Sequence, residues 1–279
     1  MKKVLLLLGL LLSCKLQAQQ GTVFKIKYLP NKEYTAAVTI KLNGHFSLSG
    51  DEQAMQKLKS QGINSPVDVI YNIKMIGYDT TGTSEAHAIF PLVMKWQTSD
   101  VSENINGNEV SLPQLRKTFT IYNHIMPDGK VVADSAVEEK KQATSKMVLF
   151  KSDNAFQNQV KFPNKQLKLG DTFTQDLSIE IPLGATNIPA NAKTTYTLIS
   201  IADGYAYFDI AQNIDVTTPV KQGEPKVTGT GSGNVVYSIS DSLITNFDDR
   251  LNLLFGGYLT NVKIEGPATM ETKYSYSIK

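Results

Sequence analysis

Few residues in this 279-residue chain have the types and spacing to do chemistry. His45, His87 and His124 are the only imidazoles. They fall in three separate extended segments, with no short spacing between any pair and no adjacent acid or cysteine of the kind that marks a metal motif. Each is expected on the solvent side of a strand, and a metal site would require three distant strands to converge. No serine sits in a Gly-x-Ser-x-Gly elbow and no Ser-x-x-Lys opens a helix. Asp248-Asp249 and Glu138-Glu139 are paired acids, but neighbouring side chains point apart on a strand or helix and cannot share a substrate or proton. They read as turn and helix-start acids, and Asp128 and Asp203, each beside a glycine, as turn formers.

Gly229-Thr230-Gly231-Ser232-Gly233 is the remaining candidate, since closely spaced glycines let backbone amides approach a phosphate. The context is wrong for that chemistry: no Lys-Ser/Thr ends the run, and a strand follows from Asn234 to Ile239 where a nucleotide fold needs a helix. Glycine at every second position instead strips one face of a strand, as a strongly curved sheet or a close neighbour demands. No catalytic, cofactor-binding or metal residue is assigned, no cofactor is expected, and the chain does not read as an enzyme.

The one cysteine, Cys14, belongs to the chain's leading segment. Met1-Lys2-Lys3, the apolar run Val4 to Leu12 and the polar stretch Ser13 to Ala18 form the pattern of an export signal over residues 1–18. Two readings of its processing stay open. Leu16-Gln17-Ala18 ends in a residue that signal peptidase accepts, whereas Leu11-Leu12-Ser13-Cys14 resembles a lipobox, which would make Cys14 a lipidation site and the product a lipoprotein. With Lys2, Lys3 and Lys15 removed, 28 basic residues become 25 against 26 acidic ones, a balance of −1. Nucleic acid is not an expected partner, because no Lys/Arg cluster remains. No later stretch approaches the ~20 apolar residues of a transmembrane helix. An apolar share of 41% with 19% charged residues indicates a folded chain.

The elements that must carry these residues are mostly strands. Apolar and polar residues alternate from Thr22 to Leu29 and again from Tyr34 to Leu48, and period two means strand. Asp51 to Ser60 reads as a short helix closed by Gly62. Val67 to Ile76 and Ala86 to Trp96 predict a hairpin around a Gly77 to Gly82 turn, and Pro127-Asp128-Gly129-Lys130 predicts a second turn. Ser135-Ala136-Val137-Glu138 has the form of a capping box and predicts a helix over 136–150. Tyr258 to Ile264 and Thr269 to Ile278 close the chain as strands. The 23 Tyr and Phe residues lie largely in these strands, either as a sandwich core or as the lining of an apolar concave face.

Phe162-Pro163-Asn164-Lys165 repeats Leu29-Pro30-Asn31-Lys32, and the order of elements after each phrase matches at a spacing of about 130 residues. The expected class is therefore mainly β, with two similar antiparallel, curved-sheet, half-barrel-like modules, residues 22–160 and 161–279, covered by one or two short helices.

The Pro-Asn-Lys-x-Tyr opening at Pro30 to Tyr34, together with Phe162-Pro163-Asn164-Lys165 and Leu169-Gly170-Asp171-Thr172-Phe173, resembles a family of uncharacterised exported, β-rich envelope proteins of Gram-negative bacteria. In that family Trp usually stands where Phe173 does. The resemblance implies a duplicated β module akin to the half-barrels that carry lipoproteins or lipids across the periplasm. It implies no enzyme activity, and its motifs are turn and strand-entry residues. The expected role is to bind an apolar ligand or lipid in a curved sheet, in the periplasm or at the outer membrane. The alternative is an interaction protein that pairs with an envelope complex.

Overall fold

Alternation at period two leaves each strand with one apolar face, and faces of that kind must be buried against each other. The computed structural model describes residues 21–84, 88–111, 118–138, 157, 160–183, 186–215, 226–259 and 261–279. The leader with Cys14, His87, and 139–150 of the expected second helix lie outside them.

The strands are β1 (Glu33–Gly50), β2 (Val67–Thr81), β3 (Phe90–Ile105), β4 (Asn108–Ser111), β5 (Thr118–Ile125), β6 (Val131–Glu138), β7 (Thr172–Leu183), β8 (Thr186–Ala202), β9 (Tyr205–Asp215), β10 (Lys226–Ser238), β11 (Leu243–Leu259) and β12 (Val262–Ile278). Helix α1 (Glu52–Ser60) joins β1 to β2. All the strands form one antiparallel sheet in the order β6-β5-β3-β2-β1-β12-β11-β10-β9-β8-β7, with β4 a short hairpin on β3. The sheet is not closed, since β6 pairs only with β5 and β7 only with β8. Two meanders are thus fused through β1 and β12, whose long register runs from Tyr34↔Ile278 to Gly50↔Val262.

The inward faces share one core. Even positions of β1 (Tyr34, Ala36, Val38, Leu42, Phe46) and odd positions of β2 (Val67 to Met75) are buried, and so are Phe208 and Ile210 of β9 and Leu251, Leu253 and Phe255 of β11. The outward faces are mixed: they carry Lys41, Thr230, Asn252 and the cross-strand pairs Lys273–Asp248 (3.6 Å) and Arg250–Glu271 (3.2 Å), and also exposed apolar residues such as Tyr78, Val137 and Leu254.

Segment 21–30 alternates as expected but joins the sheet through no ladder. Its one isolated bridge is Thr22↔Leu167. Phe24 and Tyr28 turn into the core, Phe24 edge-on to Phe208 and Tyr237 at centroid distances of 5.1 and 5.3 Å. Tyrosine hydroxyls tie the segment down: Tyr237 donates to Lys25 O (2.6 Å) and Tyr34 accepts from Leu29 N (2.8 Å).

Several expectations require correction. Ala136 to Glu138 belong to β6, paired with Ile121, Thr120 and Phe119. The capping-box pattern is a local preference, and a ladder with β5 that also takes in Val131 and Val132 overrides it. Gly77 lies inside β2, beneath the Trp96 ring, where a Cβ would come within 2.7 Å of the indole; the chain turns only after Thr81. Tyr258 to Ile264 forms the β11–β12 hairpin, with Leu259↔Val262 as its last pair. The duplication is not confirmed: β1, which opens the first expected copy, is central in the sheet, and β7, which opens the second, is an edge.

Candidate functional site: an apolar cleft under the helix and two inward carboxylates

Helix α1 forms because Asp51 caps it, its carboxylate accepting from Ala54 N at 2.7 Å. Glu52 in the first turn and Lys57 and Lys59 in the last complement the helix dipole. It ends where Gly62 adopts a φ of 79°, with Ile63 N bonded to Leu58 O. No residue of α1 is buried; Ala54, Met55 and Leu58 are half-covered. The helix lies over the end of the sheet as a cover, with an apolar cleft of about 680 Å³ beneath it. Leu48 of β1, Val67 and Val69 of β2, Ile105 of β3 and Val262 and Ile264 of β12 form its walls, with Leu58 and Ile63 above. The volume lies within the usual range of small-molecule sites.

One acid faces into this cleft. Glu103 is in register with Tyr71, on the inward side of β3 two residues deeper than Ile105. It is half-buried, and burial holds its pKa above the ordinary carboxylate value. The Tyr71 hydroxyl is pushed up to about 12, by burial first and then by the Glu103 charge. Among the described residues the Glu103 carboxylate makes no ion pair or hydrogen bond. Lys57 borders the cleft from the exposed side of α1.

Two further carboxylates point inward. Asp79 of β2 is 2% exposed; Tyr276 donates to its Oδ2 at 3.0 Å, while its Oδ1 and the Tyr28 hydroxyl are buried with no hydrogen-bond partner. Asp249 of β11 is 6% exposed; with the Gln212 amide turned so that its nitrogen faces the carboxylate, Gln212 donates to both oxygens, at 2.9 and 3.3 Å. Burial raises both pKa values to about 7. Strands β1 and β12 lie between them, so they form no acid pair.

The two described histidines, His45 and His124, are not brought together. His45 lies outward on β1 with Nδ1 2.6 Å from Asp68 Oδ1, and His124 on β5 with Nδ1 2.7 Å from Asp134 Oδ1; two strands separate them. Asp134 reaches His124 because the β5–β6 register skips it, leaving it as a bulge residue. No group of three potential metal ligands occurs among the described residues. Asp128 and Asp203 do form turns: Asp128 accepts from Lys130 N at 3.0 Å, and Asp203 and Gly204 both have positive φ between β8 and β9. Asp248-Asp249 is not a turn. It sits in mid-strand, with Asp248 outward toward Lys273 and Asp249 in the core. Asp79, Asp249 and Glu103 are what residue-type motifs missed. The signal was available, because each lies on the inward parity of its own strand.

The glycine strip has the structural meaning its spacing suggests. A Cβ at Gly229 or Gly233 would collide with the backbone oxygen of Asn252 or Asp248 on β11, and one at Gly231 with Gln212 and Leu251.

No family model and no curated protein matches this chain. Among solved structures, it is similar to an outer-membrane channel from Pseudomonas putida F1, at 7% identity and a TM-score of 0.23, over 90% of this chain and 97% of the other. It is likewise similar to OccK5 (OpdH) of Pseudomonas aeruginosa, at 7% identity and a TM-score of 0.25, over 87% and 98%. Likeness at this level does not bear on what the chain does.

Proposed function

We propose that the protein is a non-catalytic binding protein of the bacterial cell envelope that holds an apolar ligand in the cleft beneath α1. The observation that carries this reading is the cleft itself: aliphatic walls, half-exposed at Leu48, Ile105, Val262 and Ile264 and buried at Val67 and Val69, under a helix that buries none of its own residues. Elsewhere the inward face is filled by its own side chains, from Phe24 and Tyr34 to Phe208 and Tyr276. A larger groove of about 1180 Å³ beside segment 24–30 carries Lys25, Lys27, Asp128, Lys130 and Lys161 and suits an apolar guest less well. Export is supported by the leader pattern.

The test is titration with the neutral fluorophore N-phenyl-1-naphthylamine. Saturable binding is expected, with one site per chain. Ala54→Trp places an indole in the cleft from the exposed helix and should abolish binding at unchanged thermal stability; undiminished binding in that variant would overturn the reading.

A second reading has its own observation. The edge strand β7 presents a ladder face that no strand pairs with among the described residues, and its inward residues Phe173, Leu177 and Ile179 are only partly covered. Such an edge can add a strand from a partner in an envelope complex. Crosslinking in cells from a photoreactive residue at Asp176 should then recover one reproducible partner.

A further inference from the structure

We propose that the cleft beneath α1 selects a ligand in which an apolar chain or ring carries a cationic amine, the ammonium seating on Glu103. The inference rests on that cleft being the ligand site and goes further by naming the head group.

The polar groups around the cleft are not equivalent. Asp51 is engaged by the backbone of its own helix at Ala54 N. Lys57 lines the cleft at its exposed rim on α1, where water solvates it. Glu103 differs from both, since it faces inward from β3, beside the buried Tyr71 ring and behind the aliphatic walls of Val69 and Ile105. Its carboxylate has no cationic partner among the described residues.

An unpaired carboxylate among apolar walls is costly to ionise, and an ammonium brought in by a guest removes that cost while making a charge-assisted hydrogen bond. A carboxylate-headed guest meets the opposite situation, because it places like charges together where water is scarce. An alcohol falls between, since it can donate but brings no charge. The aliphatic walls contribute through area removed from water whatever the head group, so head-group choice and apolar binding are separable.

Displacement of N-phenyl-1-naphthylamine by octylamine, octanol and octanoate at pH 7.5 separates them. Octylamine should displace the probe at a concentration at least about tenfold below that of octanoate, with octanol between them, as expected for a charge-assisted bond. Glu103→Gln should bring the three within about threefold of one another. Lys57→Ala, on the exposed side of the helix, should keep the preference for the amine. Equal displacement by amine and carboxylate in the wild type, a preference that survives Glu103→Gln, or one lost in Lys57→Ala would each overturn the assignment and leave the cleft itself standing. A wild-type protein that binds no probe would instead overturn the cleft reading on which it rests. If Glu103→Gln fails to fold, the wild-type order and Lys57→Ala decide the matter.

Discussion

Gln212 of β9 bonds Asp249 of β11 across the strand that lies between them. The amide nitrogen approaches the two carboxylate oxygens at 2.9 and 3.3 Å, and the intervening β10 residue, in register with Gln212 on one side and Leu251 on the other, is Gly231. An added Cβ there would press on the Gln212 amide and on the Leu251 side chain. The alternating glycines are therefore the condition for a buried polar contact between next-nearest strands, and for the close approach of β10 to β11.

The three glycines should differ in what they tolerate. At Gly231 an added Cβ meets the ends of two side chains, which can swing aside; at Gly229 and Gly233 it meets backbone oxygens, which cannot. Gly229→Ala and Gly233→Ala are expected to cost about 1–3 kcal/mol, and Gly231→Ala less. Urea unfolding midpoints of the three variants give this order directly.

Asp79 and Asp249 make stability depend on pH in the sense opposite to most carboxylates. In each the folded-state pKa is raised, chiefly by burial, from an ordinary 3.8 to about 7. The folded chain thus holds a proton that the unfolded chain has released, and the favourable contribution present at pH 4 is lost as pH rises through 7. Asp79→Asn and Asp249→Asn should match the wild type near pH 4. They should exceed it at pH 8 by on the order of 1–4 kcal/mol each. Thermal unfolding across pH 4–8 checks this, and a wild-type excess at pH 8 would refute it.

Most of the fold was legible in the sequence, and the reason is parity. Residues 34–48 alternate cleanly because one side of β1 is core and the other is water, and Asp51 and Gly62 bracket α1 because caps are local chemistry. The glycine strip and the turns at Asp128 and Asp203 were legible for the same reason. What escaped was decided by partners distant in sequence. Ser135 to Glu138 reads as a helix start until β5 supplies a ladder, and Gly77 reads as a turn until Trp96 lies over it. The candidate site was less visible: Glu103, Asp79 and Asp249 look like surface acids by residue type, and only the parity of their strands marks them as inward, Glu103 in register with Tyr71 and the two aspartates bonded to Tyr276 and Gln212.

The contact of Trp96 with Gly77 offers a built-in reporter. Trp96 is the single tryptophan and is 5% exposed, and it pairs with Gly77 across β2 and β3. Emission of the folded protein should be blue-shifted, moving to the red on unfolding. Gly77→Ala pushes a methyl against the indole and should cost about 1–3 kcal/mol, with a red shift in the folded emission. Adding Trp96→Leu should recover part of that loss, since residues in contact couple. Additive unfolding energies would mean that the ring does not rest on Gly77.

The cover over the cleft should be separable from the sheet. Because α1 buries no residue, its local stability depends on the cap at Asp51 more than on tertiary packing. Asp51→Ala removes the acceptor for Ala54 N and should cost the helix about 1 kcal/mol. The whole protein should lose far less than that in its unfolding midpoint, because the helix can open while the sheet stays folded. Amide hydrogen exchange is expected to quicken several-fold from Met55 to Leu58 and to stay unchanged in β1 and β12. Probe affinity in the cleft should fall over the same interval. A uniform rise in exchange across the sheet would show instead that α1 and the sheet open as one unit, and that the cleft has no independent cover.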